Sequence, residues 1–190
     1  MKKSKQEAAQ TRQRIVETAA AEFRRNGING TGLSDLMAAA GLTHGGFYRH
    51  FESKDQLVAE SCAAAAESVV EALTTALSQK VKRSGLEAVA ASYLSTDHRD
   101  DLSGCCPFVA LGSELARSDE STRATATAGF LKLVDIIAGQ FKKTRPQVAK
   151  RRALVALSTM IGAVTMSRIV ADPELSTAIL RETEKHLAKA

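Results

Sequence analysis

Tryptophan is absent from the 190 residues, proline occurs three times, and aromatic side chains make up only 4% of the chain. So few prolines leave long stretches without a helix breaker, and β-branched residues seldom alternate with polar ones, which excludes a sheet-based core. The 44% hydrophobic content must then be buried between helices, in a chain long enough for one ordinary domain or two small ones. An all-α fold is expected. Cysteine is scarce and odd in number, three in all, with Cys105 and Cys106 adjacent. That pattern excludes a disulfide framework, and "MKKSKQEAAQ" lacks the apolar core of a secretory signal, so a reducing cytoplasm is the expected compartment. Missing as well are a glycine-rich phosphate loop, a nucleophile elbow and paired carboxylates at a recognisable site, so neither catalysis nor a cofactor is expected. The longest uncharged run, "ALVALSTMIGAVTMS" at 153–167, makes a helix of about 22 Å against a hydrocarbon core of about 30 Å. Arg168 ends it, and a buried helix rather than a membrane span is expected.

The apolar residues that are present recur at helical spacing. Ile15, Ala19 and Phe23 stand four apart, with Val16 and Ala20 beside them, predicting an amphipathic helix over 7–26 that Gly27 stops. A loop, "INGTG", leads to a short helix at 33–40 with Leu33, Leu36 and Met37 on its apolar face. Asp35 sits in its first turn, where a carboxylate suits the helix dipole, and Gly41 ends it. Leu42 plugs a tight turn, Thr43 is the predicted N-cap, and a helix of barely two turns runs from His44 to about His50. Ser53 and Gln56 form a capping-box pattern at the head of a long helix that meets no breaker before Gly85 and is expected to join two domains. Further helices are predicted at 86–95, 108–117, 121–143 and 147–171, with "TDHRDDLSGCCP" as a polar loop. The last starts at Pro173, capped by Asp172, and runs through Leu187, making nine helices.

Within this pattern "GLTHGGFYRHF", residues 41–51, looks too weak to be a helix, because Gly45 and Gly46 each cost about 1 kcal/mol relative to alanine. The loss is tolerable if Leu42, Phe47 and Phe51 pin one side to neighbouring helices. The other side can then stay bare, so that the backbone approaches a base edge or a phosphate closely and first-turn N–H groups meet phosphate oxygens. His44, Tyr48, Arg49 and His50 add hydrogen-bonding groups, and Lys54 opens the next helix, placed for a phosphate. Paired glycines alone are commonly just a loop, and a single Tyr or His on a helix commonly packs or faces water. The order of elements carries the reading: amphipathic helix, Gly27, short helix, Gly41, capped short helix, "FYRHF", "SK". It fits a helix-turn-helix whose second helix enters the DNA major groove. Thr43, His44, Gly45, Gly46, Tyr48, Arg49, His50 and Lys54 are the expected DNA-binding residues.

Of the net charge of +5, +3 lies in residues 1–57. Lys2, Lys3, Lys5, Arg12 and Arg14 there face Glu7 alone, as a basic arm along a duplex or as a solubilising tail. A second basic cluster, Lys142, Lys143, Arg145, Lys150, Arg151 and Arg152, flanks Pro146 without aromatic or glycine-rich company and reads as a solvated loop. The segment "HRDDLSGCCPFVALGSELAR" holds the chemically unusual His98, Cys105, Cys106 and Phe108. Cysteines preceding a helix start can be activated thiols or small buried residues beside a turn, and both readings stand. No metal site is expected, since His98 and two adjacent cysteines lack ligand spacing. Toward the C-terminus Leu154, Leu157, Ile161 and Val164 follow three- and four-residue steps among Ala153, Ala156, Gly162 and Ala163, and Leu175 and Ile179 continue on the last helix. This is more apolar surface than one core face requires.

Residues 11–58, "TRQRIVETAAAEFRRNGINGTGLSDLMAAAGLTHGGFYRHFESKDQLV", resemble the DNA-binding region of the tetracycline-repressor (TetR) family of bacterial transcription regulators. Ile15, Ala19, Phe23, Gly27, Thr31, Leu36, Ala40, Gly41, Tyr48, Phe51, Lys54 and Leu57 fall where that family places those or similar residues. The resemblance implies an N-terminal three-helix helix-turn-helix DNA-binding domain over 1–57. It implies a larger helical effector-binding and dimerisation domain over 58–190. Tyr48, His50 and Lys54 would meet the DNA backbone, and His44, Gly45 and Arg49 the bases or groove. Gly32 and Gly46 stand where Ser or Thr is common, so the contact of either hydroxyl is missing. A small-molecule effector would be sensed near His98, Cys105, Cys106 and Phe108. The last two helices would pair with those of a second subunit through Leu154, Leu157, Ile161, Val164, Leu175 and Ile179. The protein would be a homodimeric repressor released from a palindromic double-stranded operator by its effector. The alternative is a thiol-based redox or electrophile sensor, or a small-molecule-binding helical protein, with a vestigial DNA-binding head.

Overall fold

In the computed structural model, which describes residues 5–79 and 84–189, every regular element among the described residues is helical. Lys2 and Lys3 of the basic N-terminal stretch lie outside the described residues, as do residues 80–83. The order is α1 (Lys5–Asn26), α2 (Leu33–Ala39), a 3₁₀ helix (His44–Arg49), α3 (Lys54–Ser78), α4 (Gly85–Tyr93) and α5 (Thr96–Asp100). There follow α6 (Pro107–Ala110), α7 (Gly112–Leu115), α8 (Glu120–Ala138), α9 (Pro146–Ile169) and α10 (Pro173–Leu187). The all-α expectation holds, with ten α-helices and one 3₁₀ helix among the described residues where nine helices in all were expected. The polar loop conceals α5, which starts because the Ser95 hydroxyl accepts the His98 N–H at 3.1 Å. The single helix expected over 108–117 is two, because Leu111, buried in the core, leaves helical geometry at φ −118°, ψ 7°.

The chain divides into two compact units. Residues up to Ala66 join Leu102–Thr127 in the first, and Glu67–Asp101 joins the residues from Ala128 onward in the second. In the first unit α1 buries the face its spacing predicts, Ile15, Val16, Ala19, Ala20 and Phe23. These meet Leu36, Met37, Phe47, Phe51 and Leu57, together with Leu111 and Leu115 from far along the chain. Each such side chain contributes on the order of 1.5–3 kcal/mol when fully buried. In the second unit α9 packs on α10 through the small residues Ala149, Ala153, Ala156 and Ala163 and the larger Leu157, Met160 and Val164, with Leu180 and Leu187 opposite. Arg168 satisfies carbonyls at the end of α5, donating to Arg99 O at 2.7 Å and His98 O at 3.2 Å. Asp172 caps α10 as predicted, accepting from the N–H groups of Glu174 and Leu175.

Candidate nucleic-acid interface

The turn before the recognition element is set by Gly41. At φ +71° it occupies the left-handed region, where an L side chain is strained and glycine is not. Its N–H donates to Ala38 O at 2.9 Å and that of Leu42 to Met37 O at 2.8 Å, the paired bonds of a Schellman helix stop. Leu42 packs against the core cluster to which Met37 belongs. The chain then enters His44–Arg49 as a 3₁₀ helix rather than the expected α-helix. Two glycines at its start give no helix propensity to oppose the tighter winding, and short pieces are where 3₁₀ geometry is tolerated. Thr43 occupies the N-cap position with extended backbone, yet its hydroxyl makes no cap bond; its carbonyl accepts the Gly46 N–H instead, at 2.9 Å. Ser53 does cap α3, accepting from Gln56 N–H at 3.1 Å.

The pinning side chains are those anticipated. Phe47 and Phe51 are buried and stack with centroids 5.5 Å apart. On the open side lie His44, Gly45, Tyr48 and Arg49, all exposed, with Tyr48 at 67%. The Tyr48 ring stands edge-on to Phe47 at 5.1 Å and to His44 at 6.5 Å. Residues three apart eclipse in a 3₁₀ helix, so Gly45 leaves a gap directly beside Tyr48, and a Cβ there would meet nothing within 4 Å. The fold does not require glycine at 45. Gly46 differs, being half-buried with the Met37 methyl 3.6 Å from where its Cβ would stand.

Two basic residues are redirected from the roles their sequence suggested. Lys54 donates from Nζ to Ile28 O at 2.6 Å and to Thr31 O at 2.7 Å, so two of its three donors hold the turn between α1 and α2 rather than await a phosphate. Arg12 belongs to no arm: its guanidinium grips Glu60 of α3 through both terminal nitrogens and lies 4.4 Å over the Phe51 ring. Its Nε donates to the His50 carbonyl at 3.3 Å, which fixes the end of the recognition helix. The hydrogen bonds to Glu60 raise the Arg12 pKa further, against a small burial effect. A signal for this was available, since Arg12 precedes Ile15 and Val16 by one turn and so lies on the buried face.

The sensing candidates are divided between the two units. Cys105, Cys106 and Phe108 belong to the first unit and His98 to the second. Both cysteines are buried; the Cys105 thiol lies 3.7 Å from Leu102 O and its carbonyl accepts Arg24 Nη1 at 3.1 Å. Cys62, buried on α3, has its thiol pushed up to about 11 by burial, then by the neighbouring Cys106, with Arg24 acting the other way. His98 donates from Nδ1 to Tyr93 O at 2.6 Å, the carbonyl being able only to accept. Burial lowers its pKa, helped by Arg168 and opposed by the Tyr93 carbonyl and Asp101.

Of the six residues expected at a subunit contact, Leu157 and Val164 are fully buried within the unit and serve its own core. They share a face of α9 with the buried small residues Ala153, Ala156 and Ala163. Leu154, Ile161, Leu175 and Ile179 reach the surface, and the spacing argument missed Val155, Met166 and Ile169, which are exposed beside them. An open cleft of 390 Å³, lined by Phe141, Val148, Val155, Thr159, His186 and Leu187, lies on the same surface. By length and composition α9 could also cross a membrane. Only one of its faces is buried, that of Ala153, Leu157, Met160 and Val164, in place of the wholly buried helix expected.

Comparison with known proteins matches the chain in two segments. Residues 15–61 match the family model of the tetR family of bacterial regulatory proteins. Residues 94–186 match that of the LmrA/YxaF-like transcriptional regulator C-terminal domain. An uncharacterised HTH-type transcriptional regulator of Mycobacterium tuberculosis is 30% identical over 85% of this chain and 86% of its own length. A probable acrEF/envCD operon repressor of Escherichia coli K12 is 48% identical over 59 residues, 31% of this chain and 27% of that protein. The crystal structure of a TetR transcriptional regulator from Chloroflexus aurantiacus superposes with a TM-score of 0.78 at 32% identity, covering 97% of this chain and 95% of that one. With both parts of the chain matched and relatives alike along nearly its whole length, the chain belongs to the TetR family of DNA-binding transcriptional regulators.

Proposed function

We propose that the protein is a homodimeric repressor, acting in the cytoplasm, that leaves a palindromic operator when a small molecule binds its C-terminal part. The observation that carries this is the recognition helix itself: its apolar side is fully committed to the core, while His44, Gly45, Tyr48 and Arg49 stand open on the other. Tyr48 and the end of the element at His50 meet the DNA backbone, Thr43 and His44 lie at the entry, and Arg49 reads base edges across the gap left by Gly45. The surface residues of α9 and α10, Leu154, Val155, Ile161, Met166, Ile169 and Leu175, pair with their copies in the partner. Such a dimer presents two recognition helices about 34 Å apart, one turn of duplex. The effector favours a state with a different separation, and affinity falls as that population grows. The operon repressor that shares the head supports this direction of control. Buried thiols favour reading Cys105 and Cys106 as packing residues.

Selection of bound duplexes from a random DNA pool tests the reading. An inverted repeat with half-sites about one helical turn apart is expected. Failure to enrich any sequence, or enrichment of a single half-site by a protein that sediments as a monomer, would overturn it.

A further inference from the structure

The turn between α1 and α2 is held from both backbone polarities. On the carbonyl side Lys54 binds Ile28 O and Thr31 O, and the Thr31 hydroxyl donates to Gly27 O at 2.7 Å. On the amide side a single group serves: Glu114 Oε1 accepts the Asn29 N–H at 2.9 Å. Its second oxygen lies 3.1 Å from where a Cβ on Gly27 would stand, and Gly27 has φ +79°. Residue 27 is thereby restricted to glycine by its backbone angle, and a side chain there would also have to displace the carboxylate by a few tenths of an ångström.

Glu114 comes from a distant part of the sequence. It lies on α7, inside the segment 94–186 that matches the C-terminal family model, whereas the turn lies inside 15–61. Its backbone has little freedom of its own. Leu111 and Leu115 on either side are buried in the core of the first unit, and the Ser118 hydroxyl donates to Glu114 O at 3.1 Å. The turn in turn governs α2, which follows it directly and packs against both α1 and the recognition helix.

We propose that Glu114 is a positioning residue for DNA recognition: by pinning the Asn29 amide it sets α2, and through α2 the recognition helix, so that residues 102–127 act directly on the reading head. The assignment rests on the DNA-binding reading above. It predicts a separation that loss of general stability does not produce. The groups facing the duplex are untouched, so sequence-specific affinity should fall while non-specific affinity and its salt dependence stay.

The test uses the full chain, duplexes recovered by the selection above, and an unrelated duplex of equal length. Glu114→Ala removes the acceptor and Glu114→Asp withdraws it by one methylene, so both should weaken the selected duplex about tenfold, the loss of one net hydrogen bond. Glu114→Gln keeps a carbonyl oxygen at the same reach and should return affinity to within about threefold of the parent. Hydrogen exchange at the Asn29 amide should quicken in the Ala and Asp variants and not in Gln, a readout that needs no DNA. Slow Asn29 exchange in Glu114→Ala, or unchanged specific affinity in a folded Glu114→Ala protein, would overturn the role of Glu114 alone. If the parent enriches no duplex, the DNA-binding reading falls and the positioning role falls with it.

Discussion

The recognition helix and α9 each bury one face and leave the other to solvent, yet the open faces differ in kind. Beside buried Phe47, the 3₁₀ helix shows His44, Gly45, Tyr48 and Arg49, groups that donate hydrogen bonds or leave a gap. Beside buried Leu157 and Val164, α9 shows Leu154, Val155, Met166 and Ile169, with Ser158, Thr159 and Gly162 between them. The buried faces obey the same rule, apolar spacing against a core. The open faces do not follow from folding, and under the proposed function each suits a partner's chemistry: a polyanion for the first, a second apolar surface for the other.

The largest effect should come from charging the apolar face. Val155 and Ile169 are 66% and 67% exposed in the protomer, so Val155→Glu or Ile169→Glu should change protomer stability by no more than about 0.5 kcal/mol. In a two-fold dimer each change is met twice, and an unpaired buried charge costs about 3–5 kcal/mol. Sedimentation should show monomers at micromolar concentration, and operator affinity should collapse. Leu157→Glu, two residues away, should instead unfold the chain. A Val155→Glu protein that stays dimeric would show that α9 meets solvent and not a partner.

An intermediate effect is expected at the head, where exposed and tethered cations should behave differently. Arg49→Ala should relax sequence preference at one position by about 1–3 kcal/mol. Lys54→Met should leave the salt slope of binding intact and lower folding stability by about 1–2 kcal/mol, because two carbonyls of the turn lose their donor. A slope that falls by about one unit would show the ammonium on a phosphate instead.

The smallest effect concerns pH. Burial holds the His98 pKa below its ordinary value, with Arg168 acting in the same sense and the Tyr93 carbonyl and Asp101 in the other. The unfolded chain therefore binds the proton more readily, so stability is full above the ordinary histidine value and declines as pH falls from there toward the lower, folded value. Denaturant midpoints measured from pH 7.5 down to 5 should drop less in His98→Gln than in the parent.

Much of this was legible because local rules decided it. The four-residue spacing of Ile15, Ala19 and Phe23, the stop at Gly41, and Asp172 before Pro173 each produced the expected element. The head could be located for the same reason, since Phe47 and Phe51 betray the pinned side of a segment too rich in glycine to stand alone. What was not legible depends on partners remote in sequence. Lys54 reads as a free cation until Ile28 and Thr31 turn their carbonyls to it, and Arg12 as part of a basic tail until Glu60 arrives from α3. Leu157 and Leu154 sit in the same apolar spacing, and only the packing of elements remote in sequence separates core from surface.

Leu111, Leu115 and Ala126 complete the core that Ile15 and Phe23 begin, and this bears on how such regulators can be recombined. A chimera cut after residue 57 would carry the reading head to a new sensor but leave behind the side chains that close its core and the carboxylate that Gly27 accommodates. A functional transplant has to move 102–127 together with the N-terminal stretch. Across lineages, substitutions at Gly27 or Phe23 and those at 111–115 are expected to be accepted in concert, so the inheritable module is discontinuous in sequence although continuous in space.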